Sequence, residues 1–382
     1  MHRLFSKEVE NDFLARGFSR RSFGRLASLL AGGAGLSFYN EPALAQLSML
    51  QGMPAGAVKI NANENPLGPC PEALEAIARV AKNGGRYQYE ETFTFARTLA
   101  EIEGVKPNYV LPFPGSSDPL HRVMLAYTSP AKSLVMGDPG YEAGERAARF
   151  IGAPVKKIPL RKDFSHDVKA MAAADPAAGV IYVCNPNNPT GTVTRREDIE
   201  WLVANKPAGS VLLLDEAYLH FTEEKAGTDL VAQDKDIIIL RTFSKLYGMA
   251  GLRAGAAIGR PDLLEKIRSY GAGALPVTGM VAGTASLTCK DLVKTRRAEM
   301  KALREEQFAF CEKHKIKYIP SVSNKWMIDT GIPAAELNQK MAAEKVFIGR
   351  SWPSMPSYAR VSIGTREEMA KFQQALLKVL GA

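Results

Sequence analysis

Short apolar runs recur through the middle of the chain, at residues 133–136, 180–184, 211–215, 237–240 and 254–258. Each is rich in β-forming residues and is followed by loop residues, so each predicts a buried strand. Between them lie stretches of helix length. One covers 197–205, with Thr194 as its expected N-cap, and another covers 261–270. Alternation of this kind predicts an α/β fold, a mostly parallel sheet between helices. Beyond about residue 275 the pattern changes. A long charged helix over 290–313 gives way to short strands near 317–319, 326–328, 347–348 and 360–363, and a helix over 366–380 closes the chain. That grain predicts a smaller α+β domain over 276–382, with the large domain over 81–275.

The 382 residues are 46% hydrophobic and 23% charged, which excludes disordered and collagen-like chains. The length suits two or three domains. A net charge of +9 raises the question of nucleic acid, but the basic residues are scattered and not interleaved with aromatics, so no nucleic-acid partner is expected. The charge-free stretch 26–40 contains three glycines and falls short of the roughly 20 apolar residues of a spanning helix, so no stable membrane insertion is expected either.

Residues 1–25 are polar and basic and carry Ser19-Arg20-Arg21-Ser22-Phe23, followed by Leu26-Ala-Ser-Leu-Leu-Ala and then Ala43-Leu44-Ala45. This order reads as a twin-arginine signal peptide over 1–45, cleaved after Ala45 and directing a folded protein to a bacterial periplasm. An amphipathic N-terminal helix is the alternative, and Gly32, Gly33 and Gly35 weigh against it. The four cysteines show no CxxC spacing and the histidines stand apart from them, so no metal site is expected. A Cys289–Cys311 bridge is open to the chain in an oxidising compartment, against the plainer reading of small buried hydrophobes.

Three of the apolar runs end in polar clusters, and in α/β sheets ligands collect beyond the carboxyl ends of strands. Run 180–184 leads into Asn185-Pro-Asn-Asn-Pro-Thr-Gly191, and run 211–214 into Asp215-Glu-Ala-Tyr218. Run 237–240 leads into Arg241-Thr-Phe-Ser-Lys245, with Arg253 eight residues beyond the lysine. A lysine just past a buried strand can form an imine once desolvation lowers its pKa, while neighbouring hydroxyls and an arginine hold a phosphate. Together the three clusters point to a pyridoxal phosphate site.

From about Asn61 to the C-terminus the chain resembles the fold type I pyridoxal phosphate-dependent aminotransferases, specifically the histidinol-phosphate aminotransferase-like group. The resemblance rests on Asn61-Ala-Asn-Glu-Asn-Pro66, Arg86-Tyr87, Gly115-Ser-Ser-Asp118, Asp138-Pro-Gly-Tyr141, Asn188-Pro-Thr-Gly191, Asp215-Glu-Ala-Tyr218, Thr242-Phe-Ser-Lys245 with Arg253, and Arg360-Val-Ser-Ile-Gly-Thr365. It implies that Lys245 carries the cofactor and moves a proton, that Asp215 pairs with the pyridine nitrogen, and that Asn188 and Tyr218 bind the ring's 3′ oxygen. It also implies a phosphate cup of Gly115, Ser116, Ser117, Thr242, Ser244 and Arg253, at the start of a helix beginning near Pro119, with Tyr141 stacked on the ring. Tyr87 would reach the phosphate from a second subunit, making the active unit a homodimer. Arg360 would bind the substrate α-carboxylate and Arg350 its distal group. Residues 46–80, with Asn63, Glu64 and Asn65, would close over the site, and Asn65 is expected among the substrate-binding residues.

Leu111-Pro-Phe-Pro114 and Gln88-Tyr-Glu90 depart from the family's pattern and leave substrate shape open. The implied activity is transfer of an amino group from an L-amino acid, or a histidinol-phosphate-like amine, to a 2-oxo acid. Another reaction at the same carbon (oxidation, elimination, racemisation, decarboxylation) is the alternative. A pyridoxal-binding regulator would need a DNA-binding domain, for which residues 1–45 are too short.

Overall fold

The computed structural model describes residues 7–19, 53–271 and 274–381. Arg20-Arg21, the apolar run from Leu26 and Ala43-Leu44-Ala45 lie outside the described residues. In chain order the elements are α1 (Lys7–Ala15), β1 (Val58–Ile60), α2 (Pro71–Ala81), α3 (Tyr89–Glu103), β2 (Val110–Phe113), α4 (Ser117–Tyr127), β3 (Ser133–Asp138), α5 (Ala143–Phe150), β4 (Val155–Pro159), α6 (Val168–Ala173) and β5 (Ala178–Cys184). There follow α7 (Arg196–Asn205), β6 (Val211–Asp215), α8 (Thr228–Ala232), β7 (Ile237–Thr242), β8 (Gly255–Gly259), α9 (Pro261–Arg268), α10 (Val277–Thr288) and α11 (Leu292–Lys313). The last are β9 (Lys317–Ile319), β10 (Lys325–Asp329), α12 (Ala334–Ala343), β11 (Val346–Ile348), β12 (Tyr358–Ser362) and α13 (Arg366–Leu380).

Seven strands form one sheet in the order β2-β8-β7-β6-β5-β3-β4. β3 to β7 run parallel, and β8 is antiparallel to both of its neighbours, β2 and β7. Strands β5, β6 and β7 are buried along their whole length, which is why they read as continuous apolar runs rather than as alternating ones. Successive residues face opposite sides. Tyr182 and Leu213 join one apolar cluster, while Ile181 and Leu212 join the other. Strands β9, β10 and β12 form a separate antiparallel sheet, on whose far side Trp326 packs edge-on to Phe372 at 5.7 Å. β1 pairs in parallel with β11, which ties the start of the described body to its last hundred residues.

Several boundaries differ from the sequence reading. Thr194 does not cap α7. Its hydroxyl accepts the His166 amide at 3.0 Å and its backbone is bracketed by the Asn185 side chain, so Arg195 takes the cap position. α11 starts at Leu292, because Asp291 sits at φ 59° and breaks any continuation from 290. α9 stops at Arg268, and β8 is shifted by one residue from the expected run. Residues 7–19, before the arginine pair, pack against the body. Arg16 donates to the carbonyls of Leu125, Ala126 and Thr128 at the C-terminal end of α4, at 2.6, 3.3 and 3.2 Å, and Phe18 is buried. A cation there satisfies helix-end carbonyls that have no partner within the helix.

Burial lowers the imidazole of His166 from its ordinary 6.5 to about 4, only partly offset by its contact with the Cys184 carbonyl. The folded state therefore holds it neutral while the unfolded chain protonates below about 6.5. The stability it contributes is fully present above that pH and declines as pH falls toward 4. Between pH 7 and pH 5 the protein is expected to lose roughly 2 kcal/mol through this group. Urea unfolding checks this, because the loss should shrink by that amount in His166→Gln.

Candidate active site

The carboxyl ends of β5, β6 and β7 and the start of α4 open on one cavity of about 60 Å³. Asp215, the last residue of β6, is buried at its floor. Its Oδ2 accepts the Tyr182 hydroxyl at 2.9 Å and its Oδ1 the Ala217 amide at 3.2 Å. Burial pushes this carboxyl above its ordinary range, against the opposing pull of those two donors and of the Lys245 and Lys325 ammonium groups. Lys245 follows β7 and is buried, and its Nζ donates to the Ala62 carbonyl at 3.3 Å.

At the other end of the cavity lie hydroxyls and a guanidinium. Thr242 Oγ1 lies 3.0 Å from Ser244 Oγ and accepts the Ser244 amide at 3.2 Å. Arg253, at φ 57°, donates to the carbonyls of Ala250 and Pro114 at 2.8 and 2.9 Å and reaches Ser244 Oγ at 3.4 Å. Ser116 occupies the cap position of α4, which begins at Ser117, two residues before the expected Pro119. Ser116 and Ser117, at the start of that helix, line this end of the cavity, and a helix N-terminus carries free amides suited to an anion. Gly115 is needed on two counts. Its φ is +92°, and a Cβ there would fall 2.3 Å from Arg253 Nη2. Gly115→Ala is expected to displace Arg253 and weaken pyridoxal phosphate binding by about tenfold or more, with folding retained. Fluorescence titration of the cofactor into the two proteins checks it.

Tyr218 also lines the cavity, and its hydroxyl accepts Asn63 Nδ2 at 3.0 Å. Tyr141 and Asn188 complete the wall, both buried. Arg360, fully buried on β12, donates through Nη1 to Asn188 Oδ1 at 3.0 Å and through Nη2 to the Asn61 carbonyl at 2.6 Å. Arg360 does not itself line the cavity, and three further expected residues also lie outside its lining. Tyr87 is 70% exposed outside the cavity and stacks on Tyr89. Asn65 is engaged with backbone, donating to the Leu246 carbonyl at 2.9 Å and accepting the Leu67 amide, so it braces the lysine loop and does not line the cavity. Arg350 is ion-paired with Glu142 and lies 4.6 Å over the Trp352 ring. Cys289 lies beside Cys70, and the described cysteines are all free thiols.

Three contributors escaped the sequence reading of individual residues. Tyr182 is hidden inside an apolar run. Asn63 carries no assigned role in sequence, yet its side chain joins Tyr218 and Ser362. Lys325 is fully buried, with Nζ 3.1 Å from the Tyr218 ring centroid and bonded to Ser323 Oγ at 3.0 Å. A lysine inside the run Asn324-Lys-Trp-Met-Ile328 was the available signal, since lysine is almost never fully buried unless it is paired.

The donor set fits pyridoxal phosphate. Hydroxyls, helix amides and Arg253 suit a phosphate, a deep carboxylate suits a protonated ring nitrogen, and a buried lysine amine suits an aldehyde. With this sheet and this site the protein is a fold type I pyridoxal phosphate-dependent enzyme. The chain belongs to the aminotransferase class I and II family, which it matches over residues 55–376, and it is a pyridoxal phosphate-dependent transaminase acting on amino acids and 2-oxo acids. It is 32% identical to the histidinol-phosphate aminotransferase of Symbiobacterium thermophilum, over 85% of this chain and 91% of that one. It is likewise 32% identical to the aromatic amino acid aminotransferase of Cutibacterium acnes, over 84% and 92%. Among solved structures, the histidinol-phosphate aminotransferase of Sinorhizobium meliloti in complex with pyridoxal 5′-phosphate superposes with a TM-score of 0.80 at 23% identity, covering 92% of this chain and 96% of that one, a likeness of fold.

Proposed function

We propose that this aminotransferase takes the amino group from an L-amino acid with an uncharged distal group, in preference to a histidinol-phosphate-like amine, and passes it to a 2-oxo acid. The observation carrying this reading is the engagement of Arg350. Its charge is already balanced by Glu142 and its plane lies against Trp352, which suits an aromatic or apolar side chain better than a phosphate.

In this reading Arg360 binds the substrate α-carboxylate, and Asn188 and the Asn61 carbonyl hold its guanidinium in orientation. Lys245 Nζ removes and returns the proton at the substrate Cα. Pyridoxal phosphate, when bound, supplies the electron sink that makes that carbon acidic. Asp215 sits where its negative charge stabilises a cation above the cavity floor, and Asn63 orients the Tyr218 hydroxyl. Thr242, Ser244, Arg253 and Gly115–Ser117 hold the phosphate. Of the N-terminal segment 46–80 the described residues, 53–80, close over the site, while the domain 81–275 holds the cofactor and the domain 276–382 presents Arg360 and Arg350.

The active unit in this reading is a homodimer in which Tyr87 enters the partner's site. Tyr87, Tyr89 and Phe93 are 70, 54 and 65% exposed, and a largely apolar groove of about 840 Å³ adjoins Tyr89 and Phe93. Such a patch suits a subunit interface. Residues 1–45 act as a twin-arginine signal and the enzyme works in the periplasm, which the order Arg20-Arg21, apolar run, Ala43-Leu44-Ala45 supports.

The test is a donor panel followed by product analysis and visible absorbance of the bound cofactor. L-phenylalanine or L-tyrosine should convert the cofactor to its amine form, reversed by a 2-oxo acid, with kcat/KM at least about tenfold above that for histidinol phosphate. Preference for the phosphate ester would overturn the role given to Arg350. Release of ammonia or carbon dioxide without a new amino acid would point to the other reactions at the same carbon.

A further inference from the structure

Away from the cavity, Cys70 precedes α2 and Cys289 follows α10, and their Sγ atoms and a Glu72 carboxylate oxygen all lie within 4.8 Å of one another. We propose that Cys70 and Cys289 are a disulfide-forming pair whose closure latches the segment 61–70 against the Lys245 loop. Cys70 is buried, its Sγ 3.7 Å from Ser286 Oγ, whereas Cys289 is half-buried at the rim of a groove of about 650 Å³ and is the accessible member. A disulfide needs the sulfurs at about 2 Å, so closure calls for side-chain rotation at the helix-terminal Cys289.

The chemistry balances with a small disulfide such as oxidised glutathione as oxidant. The Cys289 thiolate attacks it and one thiol leaves, and the Cys70 thiolate then attacks the mixed disulfide at the Cys289 sulfur and expels the second. The two cysteines lose two electrons, the glutathione disulfide gains them, and the two thiol protons end on the leaving thiols. Burial, Glu72 and Cys70 push the Cys289 thiol up to about 12, so attack is slow at neutral pH and quickens as pH rises. The guanidinium of Arg296 lies close enough to both sulfurs to act on them electrostatically, and a fixed positive charge there weighs against a bound cation at the same place.

The consequence reaches the site through backbone. The segment leading to Cys70 carries the Ala62 carbonyl that holds Lys245, Asn63 on Tyr218 and Asn65 on the Leu246 carbonyl. Arg296 grips that same Leu246 carbonyl at 3.0 Å. Gly68 is packed so tightly on Gly248 that a Cβ there would meet its oxygen at 2.1 Å. A covalent tie at Cys70 therefore restricts the segment that roofs the lysine.

The experiment incubates the full chain with oxidised glutathione and maps its peptides by mass. A peptide joining Cys70 to Cys289 is expected, absent in Cys289→Ser and unchanged in Cys311→Ser. Glu72→Gln is expected to speed its formation several-fold, because the carboxylate that keeps the thiol protonated is gone. Hydrogen exchange of the 61–69 amides, read with and without cofactor, should slow by roughly tenfold in the cross-linked protein. A glutathione adduct persisting on Cys289 beside a free Cys70, or unchanged exchange after cross-linking, would overturn the proposal. So would thiols that react only after a chelator strips a metal ion, with Glu72→Gln loosening that ion.

Discussion

Lys245→Ala is expected to lower turnover by at least about a thousandfold while leaving the protein folded and able to hold the cofactor's phosphate. The amine sits between the Ala62 carbonyl and the Tyr218 ring, and when truncation removes it the buried Asp215 carboxyl keeps the Tyr182 hydroxyl, the Ala217 amide and the Lys325 ammonium. Thr242, Ser244 and Arg253 do not depend on it for their mutual bonds. Pyridoxal phosphate should therefore still saturate the variant, with the visible band that the lysine confers missing. A small primary amine that fits the vacated space should restore a measurable part of the activity. A lysine with only a packing role would instead lower the melting temperature and show no rescue by amine.

Arg241→Leu is expected to destabilise the protein by about 3–5 kcal/mol. Arg241, on β7 and 1% exposed, grips Glu103 with two bonds, at 2.5 and 2.9 Å, and Glu216 with a third. Burial pushes the Glu103 carboxyl up, but the guanidinium outweighs it and holds that carboxyl below its ordinary range. Removing the cation leaves two carboxylates in a dry interior, which costs far more than the pair contributes when whole. Adding Glu103→Leu and Glu216→Gln to the variant should recover much of the loss, read as the shift in urea midpoint. Because Glu216 adjoins Asp215 and Arg241 adjoins Thr242, the variant should also loosen the spacing between cavity floor and phosphate cup and weaken cofactor binding.

The α/β architecture was legible because β5, β6 and β7 are buried on both faces and their composition announces it. Lys245, Asp215 and Tyr218 were legible for a related reason, since polar residues directly after such runs stand out. Residues whose work depends on partners far along the chain were harder. Asn65 carries the chemistry of a ligand but is engaged by a carbonyl 181 residues away. Arg350 reads as a free cation until Glu142, 208 residues away, is seen beside it. Thr194 has the local credentials of a helix cap, and the His166 amide claims its hydroxyl first. Cys289 has nothing in its neighbouring sequence to name Cys70 rather than Cys311.

The pairing of β1 with β11 has a bearing on how the enzyme is made. Asn61 and Asn63 find their partners, Arg360 and Ser362, 299 residues further on, so this edge of the site cannot assemble while the ribosome is still adding the last strands. Until then, the segment that roofs Lys245 lacks its anchors on β11 and β12 and holds only to Tyr218, Leu246 and Gly248, and the long-range closure comes late for reasons of loop entropy. A chain truncated even slightly before residue 362 should thus fold its seven-stranded sheet and leave the lysine uncovered. The last-made strand decides whether the first-made residues of the cavity ever take up their places.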